Sequence, residues 1–279
     1  MIEVVSHTKS KDQGERTKST RSDRAWERMG AIEPYYGVKP EPGYLRDNLD
    51  ATAREEFFRT GEQQLEQTLQ TIRDRFDKNF NPTRALDYGC GVGRVLVPLA
   101  LRVGRVAGCD ISSSMLDEAR NNCRLAGVTN VSFVRADDRL SAVPGSFDFI
   151  FSDAVFQHIH PRRVDLIFRT LLDRLQEGGI CAVGFVIDTP SVQRFARWIN
   201  RTVPFVDRFV TRFRGYRGGG AALESHVYPL GRVVARLMEA GYKEMYVQFF
   251  RGPHVTRARV FVRRGTVAGE STANGAQIP

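Results

Sequence analysis

Residues 84–100, RALDYGCGVGRVLVPLA, restrict the fold more than any other stretch of the chain. Ala85, Leu86 and Tyr88 read as a short buried strand, and residues 94–103 continue as an apolar-rich helix. Between them Asp87, Gly89, Gly91 and Gly93 form D-x-G-x-G-x-G. Glycine removes the Cβ where a chain must turn sharply and lets a ligand approach the backbone. Strand, glycine turn and helix together are the setting in which a nucleotide-type ligand sits at the carboxyl end of a strand. A dinucleotide site would need G-x-G-x-x-G, with a helix N-terminus facing a pyrophosphate. Here the third glycine comes one residue early and an acid precedes the first. That carboxylate would repel a pyrophosphate but suits the ammonium of an amino acid. A tight turn with no ligand is the plain alternative.

The rest of the chain repeats the strand–helix rhythm. Phe57, Phe58, Leu65, Leu69, Ile72 and Phe76 recur at helical spacing over residues 53–76. Strands are expected at 105–110, 131–136, 147–153 and 180–186, with helices over 112–126 and 162–176. Glu177-Gly178-Gly179 reads as the stop of the second helix. Tyr228-Pro229 opens another helix to Ala240, and strands near 243–250 and 256–262 close the fold. The alternation implies an α/β class: a Rossmann-like, doubly wound, mostly parallel seven-stranded sheet with helices on both faces.

Composition sets the outer bounds. With 279 residues and 42% hydrophobic content, the chain suits one large domain, expected over 25–265. Residues 1–24 are polar and charged and read as a disordered tail; residues 266–279 read as a flexible one. Trp26, Tyr35 and Tyr36 suggest an ordered arm that either seals a core edge or touches ligand. No apolar run approaches the roughly 20 residues of a membrane span, and no secretory leader is apparent. Cys90, Cys109, Cys123 and Cys181 are scattered, so buried thiols in a reducing cytoplasm are expected rather than a zinc site. The formal charge of +9 permits an anionic partner without naming one.

Further residues extend the glycine turn into a constellation. Asp110 ends the second expected strand, where a carboxylate can accept both ribose hydroxyls of a nucleoside. Its plain alternative is a helix N-cap. Together D-x-G-x-G-x-G and the D-I-S-x-x-M of residues 110–115 resemble the first two motifs of the class I S-adenosylmethionine (SAM) methyltransferases. The likeness covers about residues 50–187 well. It implies SAM as cofactor, held by Asp87, Gly89, Cys90, Gly91, Gly93 and Asp110, with Ile111 and Met115 flanking the adenine. It implies an adenine-amino contact from Asp137 or Asp138, Asp137 being favoured, and puts Ser152 and Asp153 near the methionine portion.

For catalysis the resemblance singles out His158, in FQHIHP, as a base facing the acceptor; packing is its even alternative. His226 is a second candidate, and Glu224 and His254 are weaker ones. Three absences narrow the chemistry. There is no N/D-P-P-Y/F, which base-amino methyltransferases carry, and no Pro-Cys for covalent attack. Ala154 and Gln157 replace the glutamates of quinone O-methyltransferases that bind a divalent ion, so no metal is expected.

Residues 190–220 interleave Phe195, Trp198, Phe205 and Phe209 with seven arginines. The stretch reads either as packed helices with a solvated basic face or as a helical substrate-lid insertion over 190–225. As a lid it would grip an anionic or lipid-linked small molecule, or rest on a membrane surface through 190–217. The expected function is SAM-dependent methyl transfer to a small-molecule oxygen, hydroxyl or carboxylate, in the cytoplasm. The alternatives are RNA methylation, which the arginines would suit, and a non-catalytic module docking on anionic membranes.

Overall fold

The computed structural model describes residues 19–189, 225–252 and 255–265. Its sheet holds β1 (Arg84–Tyr88), β2 (Arg105–Asp110), β3 (Val131–Arg135), β4 (Phe147–Ser152), β5 (Leu175–Asp188), β6 (Glu244–Arg251) and β7 (Thr256–Arg263). The order is β3-β2-β1-β4-β5-β7-β6. β1 to β5 pair in parallel, and β7 inserts antiparallel to both β5 and β6. The doubly wound, mostly parallel architecture expected from the sequence is therefore present.

Alternation along the central strands builds a core on each face. Leu86, Ile150, Cys181 and Val183 point to one side, where α6 (Pro161–Asp173) and α7 (Leu230–Glu239) contribute Phe168, Leu171, Val233 and Leu237. Ala85, Phe149, Phe151 and Ala182 point to the other, against α3 (Ala51–Arg75), α4 (Leu96–Ala100) and α5 (Ser113–Leu125). A strand buried on both faces reads as a continuous apolar run, which is why these segments stand out in the sequence.

A third, smaller cluster explains the N-terminal arm. Met29, Tyr35 and Tyr44 pack with Phe57 of α3, Val92 of the glycine turn and Met115 of α5. The arm consists chiefly of α1 (Arg21–Ile32) and α2 (Pro34–Val38). Residues 21–24, placed within the expected tail, are instead the first turn of α1. The cause is local: Thr20 and Asp23 form a reciprocal capping box. Asp23 also meets Arg163 of α6 at 2.8 Å, and Arg163 meets Asp138 at 2.6 Å. Further along α1, Glu27 accepts the Ser113 and Ser114 N–H groups at 2.7 and 3.2 Å, a carboxylate at the positive end of α5.

Two boundaries differ from expectation. The helix after the glycine turn is shorter than the expected 94–103, with α4 confined to Leu96–Ala100. Glu177-Gly178-Gly179 does not end a helix; it lies inside β5, which starts at Leu175 by pairing with Phe147. A register shift between Phe147 and Phe149, and a φ of 72° at Gly178, accommodate the irregularity. The expected lid over 190–225 falls, up to residue 224, outside the described residues, as do the C-terminal tail and residues 1–18. Among the described residues no helix is long and apolar enough to cross a membrane.

The Asp23–Arg163–Asp138 arrangement yields a test. Arg163→Met leaves the buried Asp138 and the largely buried Asp23 without their cation, so unfolding stability should drop by about 1–3 kcal/mol. Denaturant titration checks this; an unchanged midpoint would contradict it. Burial raises the pKa of both Asp23 and Glu27, but hydrogen bonds from Arg163 and from the serines of α5 outweigh it and hold both below the usual carboxylate range. Folded values below unfolded ones stabilise docking above about pH 4, and that contribution is lost as pH falls further. Amide exchange in α1 should therefore accelerate on acidification before exchange in β1 and β4 does.

Candidate active site

The strands run outward from β1 in both directions, so the sheet reverses its winding between β1 and β4. A crevice opens there at the strand carboxyl ends, as such topology dictates. It forms a cavity of about 840 Å³, the scale of a small-molecule site. Its wall takes Gly89 and Gly91 after β1, Asp110 at the end of β2, Asp137 and Asp138 after β3, and Asp153 to Val155 after β4.

The glycine turn is bare because it has to be. Gly89, Gly91 and Gly93 have φ of 75°, 54° and 89°, the left-handed region. A Cβ on Gly89 would stand 2.2 Å from Val155, and one on Gly91 would stand 2.7 Å from Val38 of the arm. The turn is tied to β2 by Gly89 and Cys90 N–H bonds to the Cys109 carbonyl, at 2.6 and 3.0 Å. Asp110 completes the tie. Its Oδ2 accepts from Gly91 N–H at 2.9 Å and its Oδ1 from Ser112 N–H at 2.9 Å. Asp110 is not the N-cap of α5, which is Ser112; it braces the Ser112 N–H just ahead of that helix, and its carboxylate lies on the cavity wall. Burial pushes its pKa up, opposed by these backbone N–H groups.

Around Asp110 stand Ile111 and Met115, both on the cavity wall. Asp137 accepts the N–H groups of Arg139 and Ser141 at 2.9 and 3.0 Å, closing its own loop. Asp138 is clasped by the Nε and Nη2 of Arg163, so its carboxylate is already neutralised. Of the pair, Asp137 has the greater capacity left for a ligand. Asp87 lies behind the turn rather than in the wall. It is only 3% exposed, and burial lifts its carboxyl to about 7, with Asp110 and Asp153 adding repulsion and Arg94 opposing. Cys90 and Gly93 are likewise buried off the wall, and burial pushes the Cys90 thiol up. Ser152 is fully buried, with no hydrogen-bond partner for its hydroxyl, and does not reach the wall.

His158 does reach it. It ends a one-turn 3₁₀ helix, Phe156–His158, directly after β4, and its ring meets the edge of Trp26 at 4.9 Å. Ser22 of α1 donates to the His158 carbonyl at 2.9 Å, so the arm fixes the turn that carries the imidazole. His226 is tied to the same turn through its N–H to the Gln157 carbonyl at 2.7 Å, but packs against His160 rather than lining the cavity. Glu224 and His254 are outside the described residues.

Of the arm aromatics read from the sequence, Trp26 and Tyr36 reach the wall, whereas Tyr35 is a core residue bonded to Glu118 and Asn122. Other wall residues were not singled out in the sequence, among them Val38 of the arm. Gln64 from α3 meets Arg94 and donates to Asp153 at 2.6 Å. Arg257 and Arg259 reach the wall from β7, together with Phe250 of β6. Ala154 adjoins this group with a φ of 59°, a strained conformation for a residue with a Cβ. Among the described residues no group of three or more His, Cys, Asp or Glu side chains is arranged to hold a metal ion.

The donor set fits a nucleoside joined to an amino acid: a bare backbone turn, a carboxylate on the wall beside it, and flanking apolar side chains. Comparisons with known proteins agree. A methyltransferase domain family model matches residues 85–179. The trans-aconitate 2-methyltransferase of Rhizobium etli is 40% identical over 102 residues, 36% of this chain and 37% of that protein. The ubiquinone biosynthesis O-methyltransferase of Chelativorans sp. is 27% identical over 162 residues, 58% of this chain and 56% of that one. The match thus spans about a third to just over a half of these relatives' length. Among solved structures, magnesium protoporphyrin IX methyltransferase from Synechocystis, with bound S-adenosylhomocysteine (SAH), superposes with a TM-score of 0.56. It covers 84% of this chain and 98% of that one at 18% identity, a likeness of fold. Residues 85–179 thus carry a methyltransferase domain, and the seven-stranded sheet built around it supports the class I SAM-dependent methyltransferase superfamily.

Proposed function

We propose that the chain binds SAM and transfers its methyl group to an oxygen, hydroxyl or carboxylate, of a small-molecule acceptor. The observation that carries this reading is a single cavity in which Asp110 stands beside the bare Gly91 and from which the wall continues to Asp153 and His158. When bound, SAM supplies a methyl carbon already activated by its sulfonium. Asp110 accepts the ribose hydroxyls, Ile111 and Met115 sandwich the adenine, and Asp137 reads its amino group. Asp153 on the wall, and Asp87 from behind the glycine turn, supply negative charge at the cationic end of the ligand.

The remaining task of the chain is orientation. In-line displacement needs the acceptor oxygen held at about 3–3.5 Å from the methyl carbon, and such positioning alone can supply roughly 7–11 kcal/mol. The arm excludes water by laying Trp26 and Val38 over the cavity. For a hydroxyl acceptor, His158 takes the proton as general base, a contribution of about 10²–10⁴-fold. A carboxylate acceptor needs no such step. The names of the relatives, one an O-methyltransferase of ubiquinone biosynthesis and one a trans-aconitate methyltransferase, support an oxygen acceptor.

Calorimetry with SAM tests the donor site. Asp110→Ala should weaken binding by about 1–3 kcal/mol through lost charge-assisted hydrogen bonds; unchanged affinity refutes the assignment. His158→Ala should lower turnover by about tenfold or more while SAM affinity holds, and full activity would return His158 to a packing role. Asp87 gives a pH signature. Its carboxyl is protonated below about 7 and ionised above, and SAM carries one more positive charge than SAH. The ratio of SAM to SAH affinity should therefore rise as pH increases through about 7, and Asp87→Asn should flatten it; a ratio independent of pH in the wild type would contradict this.

A further inference from the structure

Arg259 is the cavity residue that donor binding leaves unexplained. It sits in the middle of β7, opposite Gly184 on β5 and Gln248 on β6, where the residues on either side belong to the core. Only 5% of it is exposed, yet it forms part of the cavity wall. The rings of Phe151 and Phe250 lie 5.6 and 5.1 Å from its guanidinium carbon. Nη1 donates to Thr68 at 2.9 Å, Nη2 stands 3.3 Å from Asp153, and Nε has no hydrogen-bond partner. Burying a guanidinium is expensive unless its donors are matched, and an unmatched donor adds to that cost.

Asp153 does not satisfy this cation fully, because Oδ2 of the same carboxylate also accepts from Gln64. Gly184 shows how closely the pair is fitted: a Cβ there would lie 2.3 Å from Asp153 Oδ1. Arg94 lines the same wall, bonded to Gln64, with Asp153 and the buried Asp87 as the carboxylates that act on it. Arg257 lies two residues before Arg259, on the same side of the strand, and is exposed at the cavity mouth. This end of the wall, with three guanidinium groups, a bare donor and two aromatic rings, suits a small organic anion.

We propose that Arg259, with Arg257 nearer solvent, holds a carboxylate of the methyl acceptor. The inference rests on the methyltransferase reading and extends it to the substrate class. β7 stands two strand steps beyond β4, about 10 Å from it. Arg259 meets the donor end of the cavity only through Asp153 and lies on the side of β4 away from β1 and β2, which assigns the subsite to the second substrate. Guanidinium is the fitting group, since its planar fork matches a carboxylate.

The test uses the full chain, methyl-labelled SAM, and the small-molecule fraction of a cell extract divided on an anion-exchange resin. Methyl-accepting capacity should be retained by the resin and released by salt. Arg259→Gln should raise the amount of that fraction needed for half-maximal transfer by about tenfold or more, and Arg259→Lys should restore part of the loss. SAH affinity by calorimetry should stay within about twofold of wild type in both variants, which also shows that they fold. Capacity in the unretained fraction, or an unchanged half-saturation in Arg259→Gln, overturns the proposal. A parallel loss of SAH affinity overturns it as well, by assigning the guanidinium to the donor. A wild-type chain that binds no SAH defeats the methyltransferase reading itself, a result separate from all of these.

Discussion

A backbone stripped of side chains at the end of β1, pinned to the end of β2, is the constraint on which the rest of the site depends. The left-handed φ values at Gly89 and Gly91 turn the chain within a few residues, and the Cys109 carbonyl and Asp110 carboxylate hold it there. The contacts that hold this geometry lie within the protein itself, a surface of backbone and carboxylate of the kind on which binding energy is not lost to ordering loops. Val155 from the β4 side and Val38 from the arm occupy the space that side chains on those glycines would take. The same residues therefore shape the cavity and explain why the turn tolerates nothing larger.

The arm is the second structural commitment. It docks through one apolar cluster and two sets of charges: Asp23 with Arg163, and Glu27 with the first turn of α5. Each contact lands on an element that also carries a wall residue. Arg163 clasps Asp138, Ser22 bonds the carbonyl of His158, and Glu27 caps the helix that holds Met115. The arm that lines the cavity therefore also braces the elements that carry its other wall residues.

Much of this was legible in the sequence, for identifiable reasons. Strands buried on both faces give unbroken apolar runs, and the glycine spacing distinguishes this turn from a pyrophosphate loop. Asp110, Ile111, Met115, Asp137, Asp138 and His158 all reach one cavity. What escaped notice depends on partners far away in sequence. The Thr20-x-x-Asp23 capping box lies in a charged stretch with few apolar positions, so the first turn of α1 resembled a tail; the box itself was the available signal. Gly178-Gly179 looks like a helix stop, yet pairing of Leu175 with Phe147 draws it into β5. Arg259 falls in the last expected strand, 256–262, where nothing in the sequence sets it apart from the neighbouring arginines. Only the sheet order, with β7 between β5 and β6, makes that position interior.

The most direct measurement is a crystal structure of the chain with SAH. The account predicts the ribose hydroxyls within hydrogen-bond distance of Asp110, the adenine between Ile111 and Met115, and the sulfur on the side of Asp153 and His158. A nucleoside bound elsewhere, or a turn whose approach stays filled by Val38 and Val155 with the ligand excluded, would contradict it.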